Sequence, residues 1–300
     1  MRPADQLFNI RDVIRFALTR FGEHDLWYGH GTDTAWDEAI ALVFGSLNLD
    51  LEGDDRLLDA NLTMAEREML VDRISQRVDD KIPTPYLLGK ALFHGLVFEV
   101  TRDTLIPRSP IGELLVNEIE PWLARPPHRI LDLCTGSGCL GLLAAQVWPD
   151  AEVVLADISD KALDVARRNT AFYELGDRVK IVQSDLLAAL KDHGPFDLVI
   201  CNPPYVDQRD MDALPAEYLH EPDMALASGT DGLDHWHRIF SDLPGVMAID
   251  ALLVGEVGNS WPALENAYPR LGFTWPELEG DGGVFVVDAK AMRGGLYSAS

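Results

Sequence analysis

The sequence predicts an α/β protein: a mostly parallel seven-stranded sheet with helices on both faces, preceded by a small helical domain. Three observations carry this. From residue 128 onward, apolar runs of strand length alternate with helical runs. Residues 1–82 instead place their apolar side chains at helical spacing. Of the 300 residues, 47% are apolar, enough for a substantial core.

In the N-terminal stretch, Ile14, Ala17, Leu18 and Phe21 fall on one helical face. Trp36, Ile40, Val43, Phe44 and Leu47 repeat the spacing behind Thr34, a suitable N-cap. Thr63 and Glu66 have capping-box spacing ahead of Leu70, Ile74 and Val78. This bundle is too small to host a large cofactor; it is expected either to recognise substrate or to serve as a packing cap on the main domain, and its residue spacing is compatible with both. Pro83 and Pro85 break the helices. Residues 83–106 read as a hairpin linker, with strands at 92–100 and 105–106 turning near Arg102 and Asp103. Residues 107–110 open a helix carrying Leu114, Leu115, Ile119 and Trp122. The main domain is expected over 107–300, with strands at 129–133, 152–156, 179–182, 196–201, 251–256, 273–275 and 284–288. Helical crossovers imply parallel pairing, while the last two strands are close enough to pair antiparallel.

Composition narrows the function. No apolar run approaches the ~18 residues of a transmembrane helix, and the N-terminus lacks a signal-peptide layout. Cys134, Cys139 and Cys201 have no C-x-x-C spacing, so no metal site is expected and a reducing cytoplasm suits the chain. The formal charge of −24 disfavours free nucleic acid as a partner and favours a basic one. Residues 201–250 are the most telling segment, with ten acidic residues against two basic ones.

The strand at 196–201 runs into Asn202-Pro203-Pro204-Tyr205. Two prolines end a strand at once, since neither donates a backbone hydrogen bond and both fix φ. They leave an amide side chain, two free carbonyls and an aromatic ring at the strand's carboxyl end, where open α/β sheets bind ligands. Such a site can accept two N–H bonds from a planar nitrogen group. Upstream, Ile130-Leu131-Asp132-Leu133 leads into Cys134-Thr135-Gly136-Ser137-Gly138 and a helix. Gly136, Gly138 and Gly141 match the G-x-G-x-x-G of dinucleotide folds, so this loop alone leaves two cofactor classes open. Asp132 favours a ligand with an ammonium group and no phosphate, as S-adenosylmethionine has. Asp157 ends the next strand, nineteen residues after Gly138, and suits a ribose diol in either fold. Ser159 caps the following helix. Asp185 can accept from an adenine amino group, and Leu186 can offer a backbone N–H and an apolar wall.

In this order, Asp132 to Gly138, Asp157, Asp185 and Asn202-Pro203-Pro204-Tyr205 resemble the class I, Rossmann-like, S-adenosylmethionine-dependent methyltransferases that modify an amino or amide nitrogen. Within them the chain is similar to the HemK/Prm glutamine-N5 methyltransferases over most of its length. The resemblance implies S-adenosylmethionine as cofactor and methyl transfer to the side-chain amide of a protein glutamine. It implies cofactor contacts at Asp132, Leu133, Cys134, Thr135, Gly136, Ser137, Gly138, Asp157, Ile158, Asp185, Leu186 and Asn202. It implies catalysis at Asn202, Pro203, Pro204 and Tyr205, with Arg108 joining them against the substrate. The family's release-factor branch has glycine where Cys134 stands, and Pro-Arg-x-x-Thr-Glu where this chain has Pro107-Arg108-Ser109-Pro110-Ile111-Gly112-Glu113. With Trp27-Tyr28-Gly29-His30-Gly31-Thr32, these departures resemble the ribosomal-protein branch, implying a basic partner, the third protein of the large ribosomal subunit. The alternatives are a release-factor glutamine methyltransferase and a non-catalytic assembly factor docking through its acidic face. A DNA adenine-N6 enzyme lacks its basic groove here, and an NAD-linked dehydrogenase leaves Asn202-Pro203-Pro204-Tyr205 unexplained. His220, His235 and His237 read as packing or surface residues.

Overall fold

The computed structural model describes residues 2–50, 54–278 and 283–297. The chain forms two compact units. The first comprises Met1–Ala91, Val100–Arg102 and Pro215–His220; the second comprises Leu92–Glu99, Asp103–Leu214 and Glu221–Ser300. The stretch read as a linker is therefore divided between the units, and 215–220, read as part of the main domain, joins the first.

The first unit is built on α1 (Ile10–Gly22), α2 (Ala35–Leu47), α3 (Met64–Asp79) and the short α4 (Thr84–Leu88). Asn9 and Thr34 cap the first two helices, and Thr63 and Glu66 form the expected capping box on the third. On α2 the expected face holds for Val43 and Phe44, which are buried, and for Ile40 and Leu47, which pack against the core, but not for its first residue. Trp36 is exposed, while Ala39, Leu42, Val43 and Phe44 are buried. Apolar residues occur all round this helix, so spacing alone could not orient it. At the unit's centre lies Arg77, 1% exposed. Its guanidinium donates to Glu38 (2.6 Å), to Glu217 (3.1 Å) and to the Trp27 carbonyl (2.7 Å). Thr84 and Thr32 donate to Glu38, and the Trp27 N–H donates to Glu217. Burial pushes the Glu217 carboxyl up, but the backbone N–H bonds and Arg77 outweigh it and hold it below the usual range.

A two-stranded sheet of β1 (Lys90–Phe93) and β2 (Leu96–Glu99) opens the stretch from Leu92 to Glu99 that begins the second unit, the first two residues of β1 being counted in the first. Its turn is at His94 and Gly95, both with positive φ, as a two-residue hairpin loop requires, and not at Arg102 and Asp103. The helix expected after 107–110 is broken up: α5 is only Ile111–Glu113, followed by a wide turn over Leu114–Glu118 and a tight one over Glu120–Trp122. Pro121 lacks the N–H that would continue the helix. Leu114, Leu115 and Ile119 are nonetheless buried.

The main sheet has six strands among the described residues: β3 (Arg129–Leu133), β4 (Glu152–Asp157), β5 (Val179–Gln183), β6 (Phe196–Cys201), β7 (Met247–Glu256) and β8 (Val284–Asp288). Their order is β5-β4-β3-β6-β7-β8, all parallel except β8. The seventh strand expected at 273–275 is reduced to one antiparallel bridge, Thr274 with Val286. Pro276 follows directly and cannot extend the ladder. Alternating side chains bury both faces: Leu131, Val199 and Leu253 on one, Ile130, Leu198 and Val254 on the other. Helices α6 (Cys139–Val147), α7 (Asp160–Phe172), α8 (Gln208–Met211), α9 (Asp234–Asp242), α10 (Trp261–Ala267) and α11 (Ala289–Tyr297) complete the unit. From β3 the chain winds outward through β4 and β5, then returns to place β6 on the other side of β3. The β3–β6 boundary is the topological switch point, the place where such sheets bind ligands.

Candidate active site

Leu133 and Cys201 are register partners, so the turns leaving β3 and β6 lie side by side. The β3 turn is made by residues the backbone needs there. Gly138 has φ +86°, and a side chain would also crowd Leu142, Leu155 and Ala166. Gly141, the third glycine of the G-x-G-x-x-G match, serves packing: a Cβ would stand 2.2 Å from Leu155 and 2.9 Å from Asp132. Buried Asn169 on α7 donates to the Ser137 carbonyl (2.9 Å) and to that of Glu99 (3.0 Å), fixing the loop and the hairpin to one helix.

Between these turns is a cavity of about 360 Å³, within the range of small-molecule sites. Its wall includes Leu133, Cys134, Thr135, Gly136 and Ser137 from the first turn and Asp157 and Ile158 from the end of β4. Asp185, Leu186, Asn202, Pro204 and Arg108 complete the expected set within the wall. Gly138 supports the loop from behind.

Asp132 is placed differently from the expectation. It is 1% exposed and does not line the cavity. Its Oδ2 accepts from the Thr135 hydroxyl (2.5 Å) and the Gly141 N–H (2.8 Å). Burial pushes its carboxyl up to about 7 against those two bonds. Asp132 thus braces the loop instead of facing an ammonium group. Asp157 keeps its place in the wall, accepting from the N–H groups of Gly136 and Ser159 (both 2.9 Å), with burial raising its carboxyl. Each oxygen retains a lone pair for a ligand hydroxyl. Asp185 is half-exposed and paired with Arg238 at 2.8 Å, both in the wall.

Asn202 is half-buried at the cavity, and Pro203 and Pro204 are buried. Pro203 and Tyr205 do not line the cavity. The Tyr205 hydroxyl is instead turned to Glu256, donating to Oε1 at 2.6 Å, while the Ser109 hydroxyl donates to Oε2. Burial pushes Glu256 up, and the Ser109 and Tyr205 hydroxyls with Arg108 pull it back. Arg108 grips Glu221 with two parallel bonds of 2.6 and 2.7 Å, and Glu221 has no exposed side-chain surface.

Sequence reasoning missed Ser109, Glu221, Glu256 and the cavity-lining His235. Glu256 carried the same signal as Asp157, an acid at the end of a buried strand; Glu221 carried none. His235, read as packing, lies in the wall with Nδ1 2.9 Å from the Ser228 hydroxyl. Burial lowers its pKa. His220 bonds the Asp80 carbonyl in the first unit, and His237 bonds Tyr268; neither is in the wall.

Residues 112–231 match the family described as Methyltransferase small domain. A "Ribosomal protein uL3 glutamine methyltransferase" of Bordetella pertussis is 44% identical over 272 residues, covering 90% of this chain and 91% of that one. The protein of the same name from Neisseria gonorrhoeae is 43% identical over 296 residues, 98% of each chain. That of Francisella tularensis is 42% identical, covering 93% of this chain and 89% of its own. Among solved structures, the hMettl16 catalytic domain in complex with MAT2A 3'UTR hairpin 1 superposes with a TM-score of 0.53 at 17% identity, covering 78% of this chain and 83% of that one. Its complex with hairpin 6 gives 0.52 at 17% identity, covering 74% and 80%. At that identity the likeness establishes the class I methyltransferase fold.

Proposed function

The chain belongs to the ribosomal protein uL3 glutamine methyltransferases, and we propose that it transfers a methyl group from S-adenosylmethionine to the side-chain amide nitrogen (N5) of a glutamine in ribosomal protein uL3. The observation that carries this reading is the shared cavity: the glycine turn after β3 and Asn202 and Pro204 after β6 line one cavity at the switch point. The acidic segment 201–250 supports a basic protein partner. No helix among the described residues is long and apolar enough to cross a membrane; we place the reaction in the cytoplasm, with ribosome assembly.

The residues present fit the cofactor. The Ser137 hydroxyl, 2% exposed in the cavity wall, has no hydrogen-bond partner among the described residues and is available to a ligand. Asp157 accepts from the ribose diol. Asp185 and the Leu186 N–H hold the adenine edge, with Ile158 as an apolar wall. S-adenosylmethionine, when bound, supplies an electrophilic methyl group on a sulfonium. Replacing Asp157 with alanine is expected to weaken cofactor affinity on the order of 10- to 10²-fold, since hydrogen bonds to a charged group are worth about 1.5–3 kcal/mol. Calorimetry reads this directly, and unchanged affinity contradicts the diol role.

A glutamine amide is a poor nucleophile because its lone pair is delocalised into the carbonyl. The protein's task is therefore to orient that nitrogen. The Asn202 side-chain oxygen and the Pro203 carbonyl accept its two N–H bonds, which raises electron density on nitrogen as positive charge builds. Pro204 and the Tyr205 ring exclude water from the amide plane, and Arg108, held by Glu221, borders the substrate end. As the methyl–sulfur bond of the cofactor broke and the N–C bond formed, the amide N–H would become acidic enough to lose its proton after transfer, so no residue of the site need act as a strong base.

The deciding experiment offers labelled S-adenosylmethionine with unmodified uL3, unmodified release factor and DNA in parallel. Label on a uL3 glutamine, located by mass spectrometry, is the expected result. Label on the release factor overturns the substrate, label on DNA overturns the charge argument, and no label anywhere revives a binding-only role.

A further inference from the structure

We propose that Glu256 is a positioning residue for methyl transfer, acting through the Tyr205 hydroxyl to hold Asn202 in its reactive orientation; this rests on the amide-methylation reading above. Strand pairing brings the two together. Cys201 and Gly255 are register partners in β6 and β7, so Glu256 lies across from Asn202. The carboxylate is 4% exposed at the end of an apolar strand, among fully buried Val254 and Val257. An apolar residue suits such a position better on stability grounds, because a buried carboxylate carries a desolvation cost that hydrogen bonds only offset. Glu256 has both offsets: Oε1 accepts from Tyr205 at 2.6 Å and Oε2 accepts from Ser109. A carboxylate is the one side chain that accepts from two hydroxyls at once without offering a competing donor.

The same strand end fixes the rest of Tyr205. Its carbonyl accepts from the Ser260 hydroxyl at 3.1 Å. Its ring lies over Gly258, where a Cβ would stand 2.5 Å from the ring edge. The tyrosine is thus held at hydroxyl, ring and backbone by residues 256–260. On the other side, Cys201 is anchored in the sheet. Between these anchors stand Asn202 and two prolines whose φ angles are fixed by their rings. Asn202 therefore has little freedom while Tyr205 stays in place, and gains some when it does not. A displacement of about 1 Å in a positioning group costs on the order of 10²-fold in rate.

The test is a double-mutant cycle on methyl transfer to uL3, using Glu256→Gln, Tyr205→Phe and both together. Each single variant is expected to lower kcat on the order of tenfold, and the double is expected to be no slower than the worse single, because residues acting through one contact are not additive. Cofactor affinity by calorimetry and the melting temperature stay near those of the parent protein, which a merely structural role would not allow. Glu256→Leu, which removes both acceptors, is expected to be slower than Glu256→Gln, so that glutamine acts as a partial rescue. Multiplicative losses in the double variant, an unchanged kcat in Glu256→Gln, or a fall in cofactor affinity matching the fall in kcat each overturn the role of Glu256 alone. A parent protein that leaves uL3 unlabelled overturns the functional reading, and this role with it, before any variant is compared.

Discussion

Replacing Asn202 with alanine is expected to lower kcat on the order of 10²-fold or more, the cost of removing one preorganised hydrogen-bonding group at a reacting centre. Cofactor affinity is expected to change little, because the diol and adenine contacts proposed above would lie on β4 and after β5. The size of the effect follows from the neighbours. In the proposed arrangement the Pro203 carbonyl alone would fix one N–H bond and leave the amide free to rotate about it, so the in-line geometry would be lost most of the time. Asn202→Asp is the informative companion. It keeps an acceptor oxygen but adds a charge at a half-buried site, and we expect it to recover part of the rate. Steady-state kinetics with labelled cofactor, beside calorimetry, separates the two quantities. Near-normal turnover in Asn202→Ala would remove the amide-orienting role altogether.

The largest stability effect is expected at Arg77, far from the chemistry in sequence. Its guanidinium is 1% exposed and faces two carboxylates, Glu38 and Glu217, each 2% exposed. Arg77→Ala removes the cation and leaves both anions buried, a change that costs about 3–5 kcal/mol in comparable buried pairs. Denaturant unfolding followed by a probe in the first unit reads the loss. Neutralising the stranded partners, as in Arg77→Ala with Glu38→Gln and Glu217→Gln, is expected to restore part of it, since the penalty belongs to the uncompensated charges. A single variant that unfolds within about 1 kcal/mol of the parent would show that water reaches the cluster.

What was legible in the sequence was local. The strands at 129–133, 152–156, 179–182 and 196–201, the capping box at Thr63 and Glu66, and the turns after β3 and β6 are set by neighbouring residues and lie where spacing put them, give or take a residue. What was not legible depends on pairing across the chain. Tyr205 meets Glu256 over a separation of 51 residues, Arg108 meets Glu221 over 113, and Arg77 meets Glu217 over 140. Asp132 shows a subtler limit. A strand-end acid can face the ligand or brace the loop, and only the helix packing at Gly141 decides which. The hairpin turn misled for a related reason: Leu92 to Val100 reads as one apolar run, and His94 and Gly95 interrupt it only through their backbone.

The membership of Pro215–His220 in the first unit has a consequence for how this family can recombine. The helical unit is not a removable N-terminal block. Its central arginine takes one of its two carboxylates from a peptide that the chain delivers only after passing through β6 and Asn202-Pro203-Pro204-Tyr205. Grafting residues 1–91 onto a relative's second unit therefore transplants a cation without its counter-ion, unless the donor's 215–220 travels with it. The integrity of the helical unit is thus tied to two separate stretches of the chain, one of which begins thirteen residues after Asn202.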